Sequence, residues 1–293
     1  MSRTARCAHG RGRPLLALLA IIILPAMSGC SSPGDAPEAP RGATPVRPAA
    51  VSYAMPADVT SMVLPVTGEE SRGTQGLDAL GRLAAAWAIN GCARKHGETV
   101  PDAPPPLFIR SSDLPDLAFL RVHGFDGGHL VPGAPPTAHP GDAPATPSPV
   151  LQGCLTEGRA VARDFQGVYA PLQSRWMRQV SSLGHEPEVR RAYRGFADCV
   201  AEHDLDAKDE DAFFALVDTR QQVGDSAGSR KLAGVYATCM KPVEAVREPL
   251  RKQLSREFRA AHAAEIAKVR SELPKKIHEL EKRYRIRISF PKL

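Results

Sequence analysis

VEAVREPLRKQLSREFRAAHAAEIAKVRSELPKKIHELEKRY, residues 243–284, sets Val243, Val246, Leu250, Leu254, Phe258, His262, Ile266, Val269, Leu273, Ile277, Leu280 and Tyr284 at steps of three or four. Side chains at those steps share one helix face, so the stretch reads as helix with a single apolar stripe. Unbroken, it would run about 60 Å. Pro249 and Pro274 each remove a backbone donor and are expected to kink or divide it. His262 falls on the stripe and reads as a partly buried core histidine rather than a ligand or base.

The same periodicity recurs upstream. Leu77, Leu80, Leu83, Ala84, Trp87 and Ile89 mark a helix running through Cys92 and ending near Gly97. Asp113 to His123 reads as a second, shorter one, and Gln152 to Val180 as a third, interrupted near Pro171. Pro187 suits a first helical position for the helix through Val189, Phe196 and Cys199. Phe213, Phe214, Leu216 and Val217 mark another, with Asp209 or Asp211 as its cap. The Pro-rich stretches 99–106 and 131–149 are expected to be loops or inserts, since proline suits neither helix interior nor central strand. Alternation typical of strands appears only in Ile286, Ile288 and Phe290. The expected class is mostly α: a single helical domain with Pro-rich loops, two disulfides, and a long C-terminal helix or kinked helix pair.

Ahead of this body lies an export pattern. Arg3, Arg6, Arg11 and Arg13 precede the apolar run from Leu15 to Ala26, and Met27-Ser28-Gly29-Cys30 follows. The run is too short to span a hydrocarbon layer, which takes ~20 apolar residues. A cleaved signal fits it better than a permanent span. The small residues before Cys30 resemble a bacterial lipoprotein processing box, although Met27 stands where leucine is usual. The expectation is a signal peptide over 1–29, diacylglycerol on the Cys30 thiol, and residence at the outer face of the bacterial cell membrane. Residues 30–71, rich in Pro, Ala, Gly, Ser and Thr, read as a disordered tether, part of which could dock on the domain through Val51, Tyr53, Met55 and Val63, with 72–293 as the helical extracytoplasmic domain.

Cleavage also changes the charge argument. The chain has 38 basic and 32 acidic residues, a formal +6, but four of the arginines belong to the signal. What remains carries 34 basic against 32 acidic side chains, a net of +2. That removes the main support for a nucleic-acid partner. Within residues 241–293 there are 15 basic and 7 acidic side chains, a local +8. Glu248–Lys252, Glu272–Lys276, Glu279–Arg283 and Glu281–Arg285 are four-residue pairs in the favourable order, each contributing about 0.2–0.5 kcal/mol. The segment reads first as a soluble helix with a charged face. A functional use would be docking onto anionic lipid headgroups or envelope polymer.

Cys92, Cys154, Cys199 and Cys239 form an even set in an exported body, which argues for two disulfides. Three connectivities are open; Cys92–Cys154 with Cys199–Cys239 is preferred because each joins helices adjacent in sequence. A rival reading uses Cys92 with His96 and Cys199 with His203, sulfur and imidazole four apart on one face, as two halves of a tetrahedral metal site. The oxidised framework is preferred, so no metal and no cofactor is expected. Catalytic signatures are absent from the sequence: no glycine-flanked serine elbow, no phosphate loop and no dinucleotide fingerprint. Gly124-Phe125-Asp126-Gly127-Gly128-His129 is the most site-like loop, and a tight turn explains it equally. The acidic run at Glu202, Asp204 and Asp206 lacks the glycine and terminal glutamate of a calcium loop. An enzyme is not expected, and no protein partner can be read.

Several short motifs occur in a shared order: Gly91-Cys92-Ala93-Arg94-Lys95-His96-Gly97, Val122-His123-Gly124-Phe125, Gly153-Cys154, Glu186-Pro187-Glu188-Val189, Phe196-Ala197-Asp198-Cys199 and Tyr236-Ala237-Thr238-Cys239. In that order the chain resembles a group of actinobacterial secreted lipoproteins of unknown function. It departs from them in Val200, where methionine commonly follows the cysteine, and in having no glycine to close that helix. The resemblance implies an all-helical exported domain and carries no activity with it. The functional expectation is therefore a membrane-anchored lipoprotein that binds or scaffolds at the cell envelope, with a small-ligand or metal-binding lipoprotein as the alternative.

Overall fold

Thr67 and Glu70 fix where the helical body begins. Thr67 Oγ1 accepts from the Glu70 backbone N–H at 3.3 Å, and Glu70 Oε2 accepts from the N–H of Val66 at 2.6 Å and of Thr67 at 3.3 Å. This reciprocal cap starts helix α1 (Gly68–Lys95) and satisfies donors that the first turn cannot satisfy itself. The computed structural model describes residues 50–100, 113–125 and 147–293. The stretch 1–29 expected to be a signal peptide, Cys30, the part of the expected tether up to residue 49, most of both Pro-rich inserts and the Asp126–His129 loop lie outside the described residues.

After α1 come α2 (Leu117–His123), α3 (Pro149–Gly167), α4 (Ala170–Ser182), α5 (Pro187–Ala201), α6 (Glu210–Gln222), α7 (Ser226–Cys239), α8 (Lys241–Ala261) and α9 (Ala263–Tyr284). Two short strands, β1 (Val51–Ser52) and β2 (Phe290–Pro291), pair antiparallel. The mostly α class is therefore observed. Side chains cap several starts as their residue types demand: Asp116 accepts from Phe119 N, Ser148 from Leu151 N, and Asp209 from Ala212 N. Pro171 and Pro187 sit in the first turns of α4 and α5, where a missing N–H costs nothing.

The tether expected over 30–71 is corrected at its far end, because residues 50–71 belong to the folded body. Val59, Met62, Val63 and Leu64 are buried, and the buried Trp176 donates its indole N–H to Pro65 O at 2.8 Å. A Pro- and Ser-rich average conceals this short apolar run, which is long enough to seal one end of a core.

Two apolar cores form among the described residues. The first gathers Leu77, Leu80 and Ala84 of α1, Phe165 of α3, Trp176 and Val180 of α4, Phe258 of α8, and the stripe Ile266, Val269, Leu273, Ile277 and Leu280 of α9. The second joins Leu120 of α2, Val189, Phe196 and Val200 of α5, Phe213 and Val217 of α6, Tyr236 of α7 and Val243 of α8. Small residues permit the closest approaches. A Cβ on Gly158 would fall 2.4 Å from Ile89 Cγ1, so glycine is what lets α3 lie against α1. Helix α8 runs through both cores, with Val243 in one and Phe258 in the other.

The division of the long C-terminal segment is at His262, not at either proline. Both Pro249 and Pro274 lie inside helices. Ala245 and Arg270, whose carbonyls lose their bonds to those prolines, are exposed, so water can take up the freed acceptors. At the bend, His262 stacks on Phe258 with ring centroids 4.3 Å apart, and its Nδ1 lies 2.9 Å from Glu265, which also binds Arg175 of α4. His262 is thus half-buried, and it serves as the corner of the α8–α9 turn.

Candidate functional site

Where α8 passes between the cores, its buried face carries charge. Glu244, Arg247, Arg251, Ser255 and Phe258 are buried, whereas Val246, Leu250 and Leu254 of the expected apolar stripe are only half-buried. The buried line is the expected stripe rotated by about one residue. Glu244 bonds both guanidinium groups, at 2.5 Å to Arg247 Nε and 2.5 Å to Arg251 Nη2. Arg251 also donates to Val66 O at 2.8 Å and Asp113 O at 2.9 Å, so one side chain ties together the approaches to α1 and α2. On the second-core side, Tyr193 OH donates to Glu210 at 2.6 Å and Tyr236 OH donates to its other oxygen. Burial pushes the Glu210 carboxyl above its ordinary value, while the two phenol hydrogen bonds and Arg247 pull it part of the way back. Burial likewise pushes both phenols up. These groups are engaged with one another and with backbone carbonyls, which makes the cluster a clamp between two cores.

Both preferred disulfides are present: Cys92–Cys154 joins α1 to α3, and Cys199–Cys239 joins α5 to α7, with Cα–Cα distances of 5.5 and 5.6 Å. The tetrahedral site imagined from Cys92, His96, Cys199 and His203 is therefore not assembled. Its two sulfurs are bonded to other cysteines and belong to different helix pairs. The two Cys-x-x-x-His helix ends nevertheless share one local geometry. After His96, Gly97 takes φ +71° and the Glu98 N–H returns to Ala93 O; after His203, Asp204 takes φ 58° and the Leu205 N–H returns to Val200 O. Both are left-handed helix stops, and Asp204 stands in for the glycine that α5 lacks. Asp204 therefore has a backbone role in the acidic run at Glu202, Asp204 and Asp206.

The two stops differ in what the imidazole meets. His203 places a ring nitrogen in a group with the sulfurs of Cys199 and Cys239, all within 4.8 Å of one another. His96 joins no such group among the described residues. Sequence reasoning found His203 but paired it with the wrong second cysteine, because the convergence of α5 and α7 is a tertiary fact.

Along α9 and the tail, Lys268, Arg270, Lys275, Lys282, Arg283, Arg285, Arg287 and Lys292 are exposed. Glu248–Lys252 forms at 2.5 Å, but Lys276 reaches Asp164 at 2.6 Å and Glu279 at 2.9 Å. Glu281 accepts from the Ile288 backbone N–H at 2.9 Å. No helix among the described residues is long and apolar enough to cross a membrane. In comparisons with known proteins, no family, no curated protein and no solved structure matches this chain.

Proposed function

We propose that the chain is an exported lipoprotein, anchored through diacylglycerol on Cys30 at the outer face of a bacterial cell membrane, whose helical body binds or scaffolds at the envelope. Its likeness to the actinobacterial lipoprotein group belongs to the same reading. The observation that carries it is the adjacency of the chain's entry into the body to its basic tail. Lys292 donates its backbone N–H to Ala50 O at 2.8 Å, and the Arg287 guanidinium lies 4.9 Å from the centre of the Tyr53 ring. About twenty residues separate Cys30 from Ala50, and a chain of that length and composition spans on the order of 25 Å. An anchor at Cys30 keeps the basic tail within that reach of the headgroups, where each nearby basic side chain adds about 1 kcal/mol on an anionic surface. Two disulfides suit a body folded outside the reducing cytosol.

The test is metabolic labelling with a palmitate analogue, followed by membrane fractionation, of the wild type and Cys30→Ser. The wild type should be labelled and membrane-bound, and the variant should be neither. Equal labelling of both would remove the anchor. The Cys30→Ser protein should still bind phosphatidylglycerol vesicles at low salt and be released as salt rises. Failure to bind at low salt would remove the headgroup partner while leaving the anchor standing.

A further inference from the structure

The structure assigns a second, latent role to the Cys199–Cys239 pair: we propose that its reduction opens a three-ligand site, two thiolates and the His203 imidazole, for a thiophilic cation such as Zn²⁺ or Cu⁺. This goes beyond the anchored-scaffold reading and does not depend on it.

The fold holds the three ligand positions in place. Cys199 lies in the last turn of α5, and His203 lies four residues on, within the stop whose two returning hydrogen bonds are Asp204 N to Ala201 O at 3.0 Å and Leu205 N to Val200 O at 3.4 Å. Leu205 packs against the second core, so the stop is seated rather than frayed. Cys239 ends α7 and is buried, whereas Cys199 is half-buried and His203 is exposed. A reductant can therefore approach from the His203 side. Metal–sulfur bonds of about 2.3 Å and metal–nitrogen bonds of about 2.0–2.1 Å require ligand atoms roughly 3.5–3.8 Å apart. The present spread of up to 4.8 Å would narrow to that by rotation of side chains, with the sulfurs moving apart once their bond is cut. Three protein ligands leave a fourth position for water or an external ligand, as in an open rather than a closed site.

The electron balance is simple. A dithiol reductant donates two electrons and two protons to the Cys199–Cys239 bond and is itself converted to a disulfide; binding a divalent cation then releases the two thiol protons. Cys92–Cys154 makes the internal contrast, having the same kind of helix stop but, among the described residues, no imidazole grouped with its sulfurs.

The experiment uses the full chain, reduced with a phosphine and titrated with Co²⁺ and Zn²⁺, beside His203→Gln and Cys199→Ser/Cys239→Ser. The double variant measures the background from Cys7, Cys30, Cys92 and Cys154. Expected is one Co²⁺ per chain above that background, with thiolate-to-cobalt absorption, displaced by Zn²⁺. His203 is exposed, so His203→Gln should keep the helical circular dichroism yet bind at least ~10-fold more weakly. If reduction unfolds the chain, Zn²⁺ should refold it. No signal above background, equal affinity in His203→Gln, or a reduced chain that Zn²⁺ does not refold would each overturn the proposal.

Discussion

Arg251 has no solvent exposure, and its charge is matched by Glu244, itself only 11 % exposed in its side chain. Taking one carboxylate away from two enclosed guanidinium groups leaves buried charge without compensation. Glu244→Ala should therefore lower stability by about 3–5 kcal/mol, measured by urea denaturation. Glu244→Gln keeps an acceptor and should lose less. A Glu244→Ala midpoint within error of wild type would mean that water reaches the arginines. Periodicity alone does not disclose this cluster, because arginine on a charged helix reads as solvated. The available hint is spacing: Glu244, Arg247 and Arg251 stand at steps of three and four, parallel to the apolar stripe. Only the arrival of the Val66 and Asp113 carbonyls, from far along the chain, makes that line the inner one.

Among elements, starts were more legible than stops. Pro187 and Asp209 mark helix beginnings through their own side chains, and those helices begin there, whereas Pro171, which reads as an interruption, lies in the first turn of a separate helix. The T-x-x-E pattern at Thr67–Glu70 is equally readable, but it sits in a segment whose Pro- and Ser-rich composition reads as tether. Prolines misled in the long C-terminal pair, because whether a proline breaks a helix depends on which side faces water. The end of α5 was the least visible stop. Asp204 occupies a left-handed conformation at φ 58° that favours glycine. Asp204→Gly should be stabilising by up to about 1 kcal/mol, seen as a raised melting temperature. A lowered one would mean that the carboxylate has a binding partner worth more than the relieved strain.

At the scale of the whole molecule, each core has its own staple. Cys92–Cys154 closes 62 residues beside the first core and Cys199–Cys239 closes 40 within the second. Replacing either pair with serines should cost about 2–5 kcal/mol. Hydrogen exchange should show the loss concentrated in the helices that the missing pair joined: α1 and α3 in one case, α5 and α7 in the other. An equal loss everywhere would mean that α8 couples the cores so tightly that they open as one. The mostly α class and the two disulfides were readable beforehand, since periodicity and cysteine number are local properties. The existence of two cores was not, because Val243 and Phe258 of the one helix α8 lie in different cores, which is a tertiary fact.

The β1–β2 pair has a mechanical consequence. Among the described residues, a pull arriving from the amino-terminal side reaches Ala50, Val51 and Ser52 first, and those residues are held by the last few residues of the chain. The earliest bonds to be loaded are therefore a few backbone hydrogen bonds at the seam, not the helices. That seam can give way under tension while the cores and their disulfides stay closed, so it acts as a mechanical fuse ahead of the helical body.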